Sequence, residues 1–245
     1  MTSESQSSPF FIGWDVGGWN CDRNANSRDA IIILDSKLTI VGKPWRGNLR
    51  NAINEGSNTR EWIRKLFFHC EADSPRTAIN ITLAIDTPLG FPKDFIGLVT
   101  RLRHVKSVEN SDTNPYLYRQ TERNLFEQGL KPLSAIKDMI GSQATKGMHV
   151  LAKFTPDSVS CGVWTDGDML TAIEAYPSAC KESASITALR QRFLSLQHED
   201  EEHALTCALI AYLFAERREM LVAPDMTVSK SEGWIWVPKD VVTKQ

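Results

Sequence analysis

Short apolar runs separated by turn residues dominate the first third of the chain. FFIGWD (10–15), AIIILD (30–35), LTIVGK (38–43) and INITLAID (79–86) are each closed by Gly, Asp or Pro. Runs of this length with such borders predict buried strands. Only Ser36 and Lys37 separate the second run from the third, so the first three strands form an antiparallel meander. Helical spacing takes over in TREWIRKLFFHCE (59–71), where Trp62, Ile63, Leu66 and Phe67 share one face behind a cap at Asn58 or Thr59. A helix at this point makes a crossover, which lets the fourth strand lie parallel to the first and puts Asp86 at its carboxyl end.

Further along, a short helix is predicted over Lys93–Leu102, an irregular polar segment over 104–115, and a helix over Tyr118–Leu130 with Gly129 as its C-cap. The latter half of SQATKGMHVLAKF (142–154) reads as helix, SVSCGVWTDG (158–167) and MLTAIEAYP (169–177) as strands. Helices then follow in SASITALRQRFLSLQ and HEDEEHALTCALIAYLFAERR. In the last, Ala204, Leu205, Ala208, Leu209, Tyr212 and Leu213 form a stripe. GWIWVPKD (233–240) reads as a terminal strand or apolar clip. The pattern is mixed α/β, with one domain over 9–240 that carries an insertion around 90–165.

Composition narrows the class. The 245 residues are 42% hydrophobic and 24% charged, ordinary for a globular protein able to bury a full core. A formal net charge of −2 argues against binding nucleic acid through bulk charge and leaves room for a local basic groove. Five cysteines without a CxxC pair favour reduced thiols and a cytoplasmic location. No apolar run reaches membrane-spanning length, and residues 1–8 read as a disordered lead-in.

Four places carry acids in similar settings. Asp15 lies in the first strand, Asp86 ends the fourth, Glu174 sits between Ile173 and Ala175, and Asp200 belongs to the acidic opening of the last helix. Carboxylates are rarely buried without a partner. Mg²⁺ or Mn²⁺ held by oxygens from separate elements would supply one, and a pair of such ions suits phosphodiester hydrolysis. Plainer roles exist: Asp15 and Asp86 as turn residues, Glu174 on a solvated strand face, the helix acids as partners of the helix dipole. His203 follows Asp200 by three positions, on the same helix face. Arg119, Arg123 and Lys146 are candidate phosphate contacts, although both arginines could instead pair with Glu122 or Glu127.

The motif series IGWDVGGWN, LAIDTPLGFP, YRQTERNL, IEAYP, EEHALTCALIAYLFA and EGWIWVP resembles that of the domain of unknown function 429 family, over about residues 10–240. That family comprises predicted nucleases of ribonuclease H-like fold. The resemblance implies a five-stranded mixed sheet of order 3-2-1-4-5 flanked by helices. It also implies an acidic centre of Asp15, Asp86, Glu174 and Asp200, and a nucleic-acid partner. One departure stands out: the family commonly has Asp directly before the AL of the last-helix motif, and here that position is His203. Either Asp200 supplies the carboxylate or His203 is itself a ligand. Two other classes compete. IGWDVGG also resembles the phosphate hairpin of actin-like phosphotransferases, although those need a duplicated domain. A non-catalytic binding protein could keep the fold with a decayed site, and His203 would be its mark.

Overall fold

The computed structural model describes residues 8–75 and 80–242. Residues 1–7 of the expected lead-in, and Ile79 at the head of the expected fourth strand, lie outside the described residues. Eight strands form one sheet: β1 Phe10–Asp15, β2 Asp29–Leu34, β3 Trp45–Gly47, β4 Ile81–Asp86, β5 Asp157–Ser160, β6 Val163–Thr165, β7 Leu170–Ala175 and β8 Ile235–Trp236. Their order is β3-β2-β1-β4-β7-β6-β5, with β8 alongside the end of β7. The expected five strands are therefore too few, because the segment after 155 adds a β5–β6 hairpin and the chain's end adds β8. The sheet is mixed, as the crossover argument requires. β1 runs antiparallel to β2 and parallel to β4, and β4 runs parallel to β7.

The third strand is not where the apolar run placed it. Leu38–Val41 folds back on β2 through a single bridge, Leu34 to Ile40. Gly42 then turns the chain at φ 73°, where a Cβ would come within 2.0 Å of the Cys70 carbonyl oxygen. Pro44 follows with no amide hydrogen to give to a ladder. Pairing with β2 resumes only at Trp45–Gly47, opposite Asp29–Ile31.

Helices α1 Arg50–Glu55, α2 Thr59–His69, α3 Lys93–Arg101, α4 Gln120–Glu127, α5 Gly141–Phe154, α6 Ala184–Arg190 and α7 Glu199–Glu216 complete the fold. Helix α2 is capped by the Asn58 side chain, which accepts from the Glu61 amide. Helix α5 is longer than expected. Its Val150, Leu151 and Phe154 reach the core on one face of the sheet, where Phe154 stacks on Trp62 at 5.2 Å. The stretch 90–165 thus supplies core as well as surface.

Strand alternation divides β1 between two cores: Ile12 and Trp14 face α2 and α5, while Phe11 faces α7. Helix α7 is buried on nearly every side from Ala204 to Phe214, more than a single stripe implies. It lies directly on β1. A Cβ at Gly13 would sit 1.9 Å from the Ala204 carbonyl oxygen, so glycine is what lets the helix backbone reach the strand. That contact brings the start of α7 to the carboxyl ends of β1 and β4.

Candidate metal centre

Asp15 and Asp86 end adjacent parallel strands and are register partners, so the pairing itself sets their carboxyls side by side. His203, one turn into α7, completes the group. One ligand atom from each of the three lies within 4.8 Å of the other two. His203 Nε2 is buried with no hydrogen-bond partner among the described residues, and its nearest carboxylate, Glu199, is 3.7 Å away. Thr87 Oγ1, beside Asp86, is equally orphaned. Buried polar atoms without partners are uncommon, and both of these residues line the cleft that holds the acid pair.

The electrostatics agree with the geometry. Burial, followed by the charges of Asp86 and Asp200, pushes Asp15 well above the ordinary carboxyl value. Burial, with the charge of Glu174 adding to it, pushes Asp86 up to about 7. Burial holds His203 below its ordinary value, so its ring is neutral and has a lone pair to offer. Two carboxyls that resist ionising together, beside a neutral imidazole with an unused nitrogen, make a donor set that fits a divalent cation.

The other expected members behave differently. Asp200 lines the same cleft of 510 Å³, but its Oδ2 accepts from the Arg46 side chain at 2.6 Å and from the Arg28 amide at 2.9 Å. Glu174 also lines the cleft, yet both its oxygens are taken. Arg119 Nη1 and Nη2 grip them at 2.7 and 2.6 Å, and the Leu89 amide donates at 2.8 Å. Glu174 is therefore an anchor for Arg119 and not a free ligand.

The expected phosphate contacts need correction. Arg119 is fully buried, and its head is divided among Glu122, Glu174 and the Glu232 carbonyl. Burial alone would lower its affinity for its proton, but Glu122 and Glu174 outweigh that and raise it. Lys146 is also fully buried, paired with Asp29, and its Nζ holds the Gly17 and Gly18 carbonyls at 3.3 and 3.4 Å. Both side chains are buried and committed to carboxylates within the fold. Arg123 is half-buried and bonds Gln120 at 2.9 Å.

Asp29 and Arg46 carry no motif that singles them out, yet both shape the site. Asp29 is buried and binds the Trp14 indole, the Gly17 amide, the Leu49 amide and Lys146. Its place at the head of an entirely buried strand, the mirror of Asp15, is the signal that was available. Because it occupies the Gly17 amide, the Gly17-Gly18 turn does not offer that donor to a phosphate. All five cysteines are free and buried. Among the described residues no helix is long and apolar enough to cross a membrane.

Fold and site together define a class: an α/β protein with a mixed sheet and a carboxylate–imidazole cleft at the carboxyl ends of two parallel strands. Comparison with known proteins found no matching family model, no matching curated protein and no matching solved structure.

Proposed function

We propose that this chain is a metal-dependent phosphodiesterase of ribonuclease H-like architecture that hydrolyses nucleic acid, as its resemblance to the domain of unknown function 429 family implies. The observation that carries the reading is the register pairing of Asp15 with Asp86, with a ring nitrogen of His203 within 4.8 Å of a carboxylate oxygen of each. The strand run β3-β2-β1-β4-β7 follows the order that the resemblance implies and supports it.

Asp15, Asp86 and His203 would hold one divalent cation. Two carboxylates with one imidazole favour Mn²⁺ over Mg²⁺, since imidazole suits softer metals. Bound there, the cation would polarise a phosphoryl oxygen and acidify water. Asp200, held through Oδ2 by Arg46, would accept the attacking water's proton on Oδ1. A second ion would need Glu174 to let go of Arg119. The site thus fits one cation better than two.

The test is cleavage of labelled single-stranded, duplex and branched nucleic acids with Mn²⁺, Mg²⁺ or a chelator. Wild type should cut with Mn²⁺ and fall to background with chelator, while Asp15→Asn should lose at least 100-fold. Equal cleavage by the variant would sink the reading.

A further inference from the structure

The cleft is a poor landing place for a polyanion. Five carboxylates line it (Asp15, Asp86, Glu174, Glu199 and Asp200) against one cation, Lys131. A substrate with a phosphodiester backbone must gain its affinity on another surface.

A candidate lies on α3 and the loop that follows it. Residues 91–108 hold Lys93, Arg101, Arg103 and Lys106 against one acid, Asp94, in a chain of net charge −2. All four cations are exposed, and none forms an ion pair among the described residues. By contrast, Arg46, Arg119 and Lys146 near the cleft are each committed to a carboxylate. Lys93, Arg101, Arg103 and His104 border a separate cleft of 340 Å³.

The backbone carrying them is fixed. Leu102 ends α3 in the left-handed region at φ 49°, and the Arg103 amide turns back to the Gly97 carbonyl at 3.1 Å. The Val105 amide donates to the Tyr116 hydroxyl at 2.7 Å, and the Lys93 amide to Glu232 at 2.8 Å. The charges therefore start from fixed points on the backbone, which limits the chain ordering that an anion must bring about on binding.

The two clefts are close. Pro88 lines the first and Lys93 the second. Five residues of chain span at most about 18 Å, the reach of roughly five phosphates along one strand of a duplex.

We propose that this basic cleft at the end of α3 binds the phosphodiester backbone of a nucleic acid, of which a phosphate farther along the same strand enters the Asp15–Asp86 cleft. The inference rests on the phosphodiesterase reading for its substrate, but binding can be measured without cleavage. Fluorescence anisotropy of labelled single-stranded DNA, duplex DNA and RNA would be followed across 50–200 mM salt. The protein would carry Asp15→Asn, alone or with Lys93→Gln, Arg101→Gln and Arg103→Gln, and in a second set the same three positions changed to Glu.

The Gln set should weaken binding at least tenfold and reduce the slope of log affinity against log salt by about 2–3, the Glu set more so. Melting temperature should stay unchanged, since all three side chains are exposed. Equal affinity and slope in all variants, or no nucleic-acid binding at 50 mM salt, would overturn the proposal. So would cation-dependent binding to anionic vesicles with none to nucleic acid. Cation-dependent binding by a wild-type protein that cleaves nothing would support the basic cleft and count against the nuclease reading alone.

Discussion

Asp86 is the residue at which burial and charge conflict most directly. Its carboxyl, raised to about 7 by burial and then by Glu174, is protonated in the folded chain over a range where the unfolded chain has already ionised. A raised acid favours the folded state below the unfolded value and loses that advantage as pH climbs through the folded one. Metal-free protein should therefore lose stability between about pH 4 and pH 8 through Asp86, by about 4 kcal/mol at 1.36 kcal/mol per unit. Asp86→Asn should flatten that slope, and thermal melts in chelator across the range would show it. A variant with the parent's pH slope would remove Asp86 as the cause. Asp15 and Asp86 were legible because a carboxyl at the end of an apolar strand has few inexpensive explanations. The Glu174 partnership was not, because Arg119 lies 55 positions away and nothing local marks the pair. The pairing that the sequence did offer, Arg119 with Glu122 at i, i+3, is present and fully buried.

Among the elements, α7 and β1 do most to fix the site, since their contact delivers His203 to Asp15. The apolar stripe on α7 announced a buried helix, and the FFIGWD run a buried strand. Their closeness, however, depends on the absent side chain of Gly13, and a sequence does not show what lies above a glycine. Gly13→Ala would drive a methyl into the Ala204 carbonyl. Overpacking of this kind costs about 1–3 kcal/mol, occasionally more. In a chain of this size that lowers the melting temperature by roughly 2–12 °C at about 2–4 °C per kcal/mol. Because α7 must shift off β1, Mn²⁺ affinity should fall as well. A stability loss with metal affinity untouched, read by melts and calorimetry together, would show that the strand–helix spacing does not set the site. The misplaced third strand has the same origin in reverse. Periodicity marked 38–43 as apolar, but Gly42 and Pro44 end the pairing through a backbone turn against Cys70 that lies outside the local pattern.

At the scale of the whole molecule, the raised acid pair and the orphaned imidazole are three groups from three elements, and on the proposed reading a cation between them would satisfy all three. A cation that binds only the folded chain stabilises it by mass action, about 2.7 kcal/mol at 100 times its dissociation constant. At about 2–4 °C per kcal/mol this is a rise of roughly 5–11 °C in melting temperature. Mn²⁺ should produce that rise at pH 8 and less of it at pH 6, because Asp86 must give up its proton before it can bind. Mg²⁺ should produce less at either pH, since one of the three donors is a nitrogen. His203→Ala and Asp15→Asn should abolish the rise. Arg101→Gln should leave it intact, because the basic cleft lies off the metal centre. This measurement requires no substrate, so it isolates the cation site from every question of catalysis. An equal Mn²⁺ shift in Asp15→Asn would place the cation elsewhere on the surface, and the cleft would then lose its claim to a metal.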